Sequence, residues 1–193
     1  MGRFALLFTF SVVAFGQVAG TYEPITGSER WKEFTRENFI SPGAYFRALG
    51  PAIGAQMKEE PREWGQGVGG YAHRAGYYYG MNFIDSSIRH SSAAALGHDV
   101  RYERSKKKGF FPRAGHALSR GFVTRNSSGN LIPYVSNFMG SYGSGMISTY
   151  MMPERYDPLK FGLQRGHILF AAHIGENIFR EFGPEIKKFF RRK

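Results

Sequence analysis

The chain has 193 residues, with 26 Lys or Arg against 15 Asp or Glu, 25 Gly, no Cys and a formal net charge of +11. This length suits one domain with a sizeable core, because a chain of about 150 residues buries roughly 70% of its unfolded surface. Disorder throughout is therefore excluded. Without Cys, disulfide frameworks, thiolate nucleophiles and Cys-ligated metal sites are excluded as well.

The first twenty residues have the composition of an export signal. Arg3 is their only charge, residues 4–15 are apolar, and small residues are frequent from Gly16 to Gly20. This apolar run of about 12 residues is typical of a secretory signal peptide and is shorter than the roughly 20 residues of a bilayer-spanning helix. We predict a signal peptide at residues 1–20, cleaved after Gly16 or Gly20, and export to the periplasm or outer envelope. An uncleaved anchor is the alternative.

Capping and breaking residues divide residues 21–186 into a compact, all-α, Gly-rich bundle of five or six helices, followed by a basic tail at residues 187–193. Ser41, which precedes a Pro, is the strongest start signal, because Ser caps a helix and Pro is tolerated in its first turn. Ser28 is the predicted cap of the preceding helix. Pro51 is expected to kink or divide the helix that Ser41 begins. The predicted helices are residues 28–39, 42–58, 59–95, 113–124, 133–152 and 158–182.

Glycine and proline also predict where elements end. Gly97 is expected to end the third helix, and Gly183 with Pro184 the last one, after which residues 185–190 add one more basic turn. Residues 106–109 are a predicted loop. The Asn-, Ser- and Gly-rich residues 126–130 are a predicted turn.

Small residues recur at four-residue spacing along several predicted helices. Each Gly in a soluble helix costs about 1 kcal/mol relative to Ala, so we expect a compensating role. Four-residue spacing puts these residues on one helix face, where two backbones can approach closely. The same faces could also form a homo-oligomer. The predicted packing residues are Gly65, Gly69, Gly76, Gly80, Gly140, Ser144, Gly162, Gly166 and Gly175.

Residues 126–153 contain no charged residue. This stretch of 28 residues is long enough to cross a bilayer. Asn137 and several Ser make it less apolar than most membrane spans. We therefore favour an internal helix of the bundle over membrane contact, which remains the alternative.

Positive charge is concentrated in two segments. Residues 101–125 contain eight Lys or Arg against one acid, and residues 187–193 contain five and no acid. Each cation near an anionic surface contributes about 1 kcal/mol, although such segments can also be merely solvated. The predicted surface-binding residues are Arg101, Arg104, Lys106, Lys107, Lys108 and Arg113. No nucleic-acid recognition motif is present, so nucleic acid is not an expected partner.

Aromatic residues accompany both basic segments. Phe110 and Phe111 follow the lysine run and suit insertion at a lipid interface. Phe189 and Phe190 are expected instead to continue the apolar stripe of the last helix and to be buried. We therefore expect the middle segment to contribute more to surface binding than the tail.

The histidines are the candidates for chemistry near neutral pH. His98 and Asp99 are adjacent in a loop, and His173 and Glu176 lie three apart on the last helix. A metal site at the latter pair would need further carboxylates from other helices. The available ones are Asp85, Glu33 and Glu37. Because no His lies in a ligand-spaced or nucleophile motif, we predict no catalytic residue, metal or cofactor.

Several short motifs resemble an uncharacterised family of exported bacterial proteins that are predicted to be helical and have no known activity. The motifs are residues 64–67 with 70–71, 97–102, 117–120 with 123–125, and 179–187. The resemblance covers residues 30–188. In relatives the loop reads Asp-Pro-Arg-Tyr, and here Val100 replaces the Pro. The resemblance implies export and a helical architecture, and implies no site residues.

The leading hypothesis is a non-enzymatic, exported cell-envelope protein that associates with membrane or helical partners and with anionic surfaces. One alternative is an envelope hydrolase or metal-dependent enzyme that uses His98 and Asp99. Another is a soluble periplasmic domain that binds a small molecule in a pocket lined by residues 77–79, whose three Tyr are otherwise expected to form a packing layer.

Overall fold

A computed structural model describes residues 22–191, so the predicted signal peptide lies outside the described residues. The fold is all-α, as predicted: the chain is 72% helical, and its described part contains six α-helices and one two-stranded sheet. The elements are α1 (Gly27–Thr35), α2 (Pro42–Met57), α3 (Gly67–Ala95), α4 (Phe110–Ser119), β1 (Val123–Arg125), β2 (Leu131–Pro133), α5 (Val135–Ser148) and α6 (Pro158–Arg191). Short π- and 3-10-helical turns lie at Arg36–Ile40, Arg62–Trp64 and Thr149–Met151.

The helix ends follow local side-chain chemistry. Ser41 caps α2, as predicted. The cap of α1 is Thr26 rather than Ser28, because Thr26 and Glu29 form a reciprocal capping box. After α3, Gly97 has φ of 67°, a left-handed conformation that suits Gly at the end of a helix.

Two prolines that were expected to interrupt helices lie inside them. Pro51 lies within α2, and Pro184 lies within α6. The predicted stop of the last helix is therefore wrong, and residues 187–191 of the predicted tail are helical. Arg113 contacts Glu181 and Glu185, one residue on each side of the Gly-Pro pair, so tertiary contacts hold α6 together where one backbone hydrogen bond is lost.

A β-hairpin occupies part of the predicted helix 113–124. The helix of this region is α4, and Val123–Arg125 pairs antiparallel with Leu131–Pro133 instead. The predicted turn at 126–130 joins the two strands, and the Asn126 side chain accepts hydrogen bonds from two backbone N–H groups of the turn. The sequence analysis had assigned the first two residues of this three-residue strand to the end of a helix.

Helix α5 packs against both α3 and α6 and presents small residues to them. Within residues 22–191, no helix is both long and apolar enough to cross a membrane. The buried residues of α5 are Ser136, Asn137, Gly140, Ser141, Ser144, Gly145 and Ser148. One face of α5 therefore packs within the bundle, while Val135, Met139 and Ile147 are exposed.

The predicted small-residue packing positions fall into two groups. A Cβ on Gly162 or Gly166 would meet the backbone of α5, and one on Gly140 would lie 2.9 Å from the Asp85 carbonyl oxygen. Ser144 is fully buried and donates to the Met81 carbonyl. These four residues lie at close helix contacts.

The remaining glycines have open space around them. At Gly65, Gly69, Gly76 and Gly175, no neighbouring atom lies within 4 Å of the Cβ position, and at Gly80 only the Met151 side chain does, at 3.3 Å. The expectation that these four glycines lie at close helix contacts is therefore wrong. Regular spacing identifies a helix face but does not show what covers that face. Gly145, which the spacing argument missed, directly faces the backbone of Gly162.

The interior is unusually polar. Its largest fully buried side chains include Arg74, Glu181 and Asn137. Buried polar groups require partners, and Arg74 donates to the carbonyls of Glu60, Pro61 and Gly65 as well as to a side-chain amide. An apolar cluster between α2, α3 and α6 completes the core with Ala48, Ala52, Tyr77, Tyr78, Met81, Phe161 and Leu169.

Candidate functional site

The three arginines of the predicted anionic-surface site contact the protein itself. Arg101 pairs with Asp99 at 2.7 Å, and Arg113 pairs with Glu181 at 2.8 Å. Arg104 donates to the Glu181 carbonyl at 3.1 Å. Carboxylates therefore compensate the charges of Arg101 and Arg113, whereas Arg104 is exposed and contacts only a carbonyl.

The three lysines of the same prediction, Lys106, Lys107 and Lys108, are exposed. None forms an ion pair with a carboxylate of residues 22–191. The nearby acids are already engaged, since Glu103 pairs with Arg125 at 2.8 Å. The lysine run therefore has no ion-pair partner among the described residues, although the charge of Lys106 helps to lower the pKa of Glu103.

Glu181 of α6 anchors the loop that leads to these lysines. Its carboxylate is fully buried and accepts hydrogen bonds from Arg113, from the Tyr102 hydroxyl at 2.9 Å and from the Ser105 backbone N–H at 2.9 Å. Burial alone would raise the pKa of Glu181, but these donors outweigh it and hold the pKa below its ordinary value. The carboxylate therefore fixes the loop one residue before the lysine run.

Aromatic contacts bring the start of α4 to the last part of α6. Phe110 stacks on Phe182 with ring centroids 5.1 Å apart, and the Arg113 guanidinium lies 4.6 Å from the same ring. Phe111 is 83% exposed beside them. The aromatic residues that follow the lysine run thus lie next to the helix that carries the second basic segment.

The end of α6 is amphipathic. At about 100° per residue, Phe182, Ile186 and the two terminal Phe occupy an arc of about 100°, and the three cations of this segment lie on the opposite side. Phe189 and Phe190 are 61% and 71% exposed, so the expectation that they are buried is wrong. The cations are Lys187, Lys188 and Arg191.

Two basic segments distant in sequence therefore adjoin at one region of the surface, where Phe110 contacts Phe182 and Arg113 contacts Glu185. We call it the basic–aromatic surface; it consists of Lys106, Lys107, Lys108, Phe110 and Phe111 together with residues 186–191. The continuation of α6 through the Gly-Pro pair is the part that sequence analysis missed. The spacing of Phe182, Ile186 and Phe189 indicates a continuous apolar helix face, but the Gly-Pro pair at 183–184 favours a helix end there.

The residues considered for a metal site do come together around α3 and α6. His173 Nε2 lies 2.9 Å from Asp85 Oδ2, and Glu176 pairs with Arg47 at 3.1 Å and Arg180 at 2.7 Å. The Glu176 carboxylate is thus paired with two guanidinium groups. In the described part of the chain, no three His, Asp or Glu side chains are arranged to hold a metal ion.

Glu37 lies in the same buried ionic network. Its carboxylate accepts from Arg89 at 2.7 Å, Arg180 at 3.1 Å and His90 at 3.0 Å. Burial would raise the pKa of Glu37, but the neighbouring cations, Arg89 above all, hold it well below its ordinary value. Glu33, the other carboxylate considered, pairs with Arg36 on its own helix and lies outside this network.

His98 and Asp99 are both buried and have separate partners. His98 Nδ1 lies 2.8 Å from Ser136 Oγ, while Asp99 accepts from the Tyr22 hydroxyl at 2.7 Å and from Arg101. Burial, followed by the charge of Arg30, lowers the pKa of His98. The two adjacent side chains thus serve the packing of different segments.

The three tyrosines at residues 77–79 do not share one environment. Tyr77 and Tyr78 line a cavity of about 660 Å³ between α2, α3 and α6. Tyr79 points elsewhere and donates to the Asn38 carbonyl. A pocket between helices therefore exists, and two of the three tyrosines line it as expected.

Comparison of the chain with protein-family models, with curated proteins and with solved structures finds no match. Functional inference therefore depends on the geometry of the described residues.

Proposed function

We propose that this protein is a non-enzymatic, exported envelope protein that attaches to anionic membrane surfaces through its basic–aromatic surface. The observation that carries the proposal is the meeting of two basic, Phe-containing segments that lie about 70 residues apart in sequence, joined by Phe110 on Phe182 and by Arg113 on Glu185. The composition of residues 1–20 supports export.

The chemistry of this surface suits a lipid interface. Amphipathic segments bind there by burying Phe among the acyl chains while Lys and Arg stay near the headgroups. Electrostatic attraction reaches only about 8 Å at physiological salt, so cations contribute only where they lie close to the lipid. The exposed Lys106, Lys107 and Lys108, next in sequence to the exposed Phe110 and Phe111, meet this requirement, whereas the paired Arg101 does not.

Co-sedimentation with vesicles tests the proposal. The purified protein should bind phosphatidylcholine vesicles that contain phosphatidylglycerol, and should bind pure phosphatidylcholine vesicles far less. High salt should weaken the binding. At about 1 kcal/mol per cation, changing Lys106, Lys107 and Lys108 together to Gln should lower the partition coefficient by about a hundredfold.

A matched control removes the same charge elsewhere. Lys58, Arg62 and Lys160 are exposed and lie at or near the cavity by the start of α6, so their triple change to Gln should leave vesicle binding nearly unchanged. Equal losses in the two triple variants would mean that net charge alone drives binding, and would contradict the proposed surface.

The apolar contribution has its own variant. Changing Phe111 and Phe190, both highly exposed, to Ser should weaken binding further at high salt, where electrostatic attraction is screened. If the rings do not insert, this variant should bind like the parent at every salt concentration, and the lipid-interface part of the proposal fails.

A further inference from the structure

A second site lies at the other end of α6, roughly 40 Å along the helix from the basic–aromatic surface. It is the cavity of about 660 Å³ between the second half of α2, the turn that contains Trp64, α3 and the first turns of α6. Small-molecule sites typically have volumes of about 300–1,000 Å³. The cavity therefore has the size of a binding site for a small organic ligand.

Aromatic rings that hold one another form much of the cavity wall. Trp64 stacks on His73 at 4.2 Å between centroids and lies 5.4 Å from the Tyr77 ring. On the opposite side, Tyr156 lies 4.9 Å from Phe161. Because these rings restrain one another, the apolar part of the cavity is formed before any ligand enters.

The carboxylates of the cavity wall are already engaged. Glu60 accepts from Arg155 at 3.0 Å and from the Tyr156 hydroxyl. Asp157 accepts the Lys160 backbone N–H at 2.7 Å at the start of α6. Arg155 also pairs with Glu63 at 2.7 Å, so the charge of this arginine is compensated within the protein.

Arg165 lines the same cavity with its charge uncompensated. Its guanidinium lies between two rings, 4.6 Å from Phe161 and 5.5 Å from Tyr78, and donates one long hydrogen bond of 3.4 Å to the Tyr78 hydroxyl. Its Nε is buried without a hydrogen-bond partner. Among residues 22–191 no carboxylate pairs with Arg165, and the same holds for Lys58 and Lys160 of the cavity wall.

We propose that this cavity binds an amphipathic carboxylate, an organic acid whose apolar body lies against the aromatic wall and whose carboxylate accepts hydrogen bonds from Arg165. A guanidinium donates to a carboxylate through two parallel N–H groups, an arrangement that is stronger than a neutral hydrogen bond. Lys160 supplies further positive charge at the wall. The inference is independent of membrane attachment, because it uses none of the residues of the basic–aromatic surface.

Fluorescence titration with 11-(dansylamino)undecanoic acid tests the site, with the methyl ester of the same compound as the uncharged probe. The parent protein should bind the acid with enhanced, blue-shifted emission, and decanoate should displace it. The ester should bind about tenfold more weakly or worse, since it cannot pair with Arg165. Equal binding of acid and ester, or no change in emission with the acid, would overturn the proposal without reference to any variant.

Two matched arginine variants locate the carboxylate. Arg165→Gln should weaken binding of the acid by about tenfold and bring it close to that of the ester. Arg155→Gln removes the same formal charge from a half-exposed position on the cavity wall, where solvent screens it, and should change the affinity by less than about threefold. An equal or larger loss in Arg155→Gln would overturn the role given to Arg165.

Discussion

The two halves of α6 are held in the fold in different ways. In the first half, Gly162 and Gly166 bring the helix backbone against α5, where Gly145 faces them. In the second half, the buried Glu181 carboxylate joins α6 to the loop at 102–105 and to α4. Beyond this anchor, residues 184–191 are exposed.

The first half of α6 is thus used for helix packing, and the second half exposes side chains to solvent. Backbone contact without side chains fixes the relative position of two helices and leaves no surface for a partner. An ionic anchor fixes one point and allows the adjacent rings and lysines to face solvent. The cost of the anchor is a buried charge, which makes it sensitive to the loss of any partner. The two halves should therefore respond differently to mutation and to acid.

The largest effect is expected at the packed half. Gly145→Leu would place a side chain against the backbone of Gly162 and Gly166, neither of which can move without displacing a helix. Overpacking of this kind should lower the free energy of unfolding by about 3 kcal/mol or more. Urea denaturation of the parent and the variant measures it.

Gly76 supplies the control for that experiment. No neighbouring atom lies within 4 Å of its Cβ position, so Gly76→Ala should be neutral or stabilise the protein by up to about 1 kcal/mol through helix propensity. A loss at Gly76 as large as that at Gly145 would show that close packing is not what distinguishes the two glycines.

The next effect is expected at the anchor. Glu181→Ala leaves Arg113, the Tyr102 hydroxyl and the Ser105 N–H without their shared acceptor. Unsatisfied groups of this kind should cost about 2 kcal/mol of unfolding free energy. Glu185→Ala is the matched control, because its carboxylate is about half exposed and its loss should cost less than about 1 kcal/mol. Similar costs for the two would contradict the anchor.

Much of this architecture follows from local sequence signals. Ser41 caps α2 and Gly97 follows α3 because caps and left-handed glycines act within a few residues. The path of α6 through Pro184 could not be predicted, because the contacts of Arg113 that hold it come from another helix. For the same reason, sequence could not separate Gly145, which is covered, from Gly76, which is not.

The candidate surface was predictable only in part. Lys106, Lys107 and Lys108 are consecutive in sequence, so their exposed positive charge could be predicted directly. Arg113 has the same charge in the same segment, but its partners lie far away in sequence, at Glu181 and Glu185. Arg101 pairs with the nearby Asp99 and also with the distant Glu29. Composition identifies a basic segment, whereas the fold determines which of its cations remain unpaired.

Acid should weaken the ionic contacts and leave the glycine contacts unaffected. The pKa of Glu181 is lowered in the folded state, as are those of Glu37 and Asp85. Stability from a lowered carboxyl pKa is fully present above the unfolded value of about 4 and is lost as pH falls through the folded value. The lowered pKa of His98 adds a decline that begins near its unfolded value of about 6.5. The free energy of unfolding should therefore fall gradually from neutral pH and more steeply below about pH 4.

Glu181→Gln sharpens this test, because glutamine does not titrate. Urea denaturation over a pH series should show a shallower decline for this variant than for the parent, with an uptake on unfolding that is smaller by up to about one proton. If the two proteins lose stability in parallel, Glu181 does not have a lowered pKa in the folded state, and the anchor is not ionic.

The smallest effect on stability is expected at the surface that should matter most for binding. Lys106, Lys107 and Lys108 are exposed and have no acidic partner among the described residues, so changing all three to Gln should alter the free energy of unfolding by less than about 0.5 kcal/mol. Arg113→Gln removes one charge from the same region but breaks the contact with buried Glu181, and should cost about 2 kcal/mol. Thermal or urea unfolding of both variants beside the vesicle assay tests whether the two roles separate. A triple lysine variant that loses stability as well as binding would mean that these charges hold the loop in place, and loss of lipid binding could then no longer be attributed to direct contact.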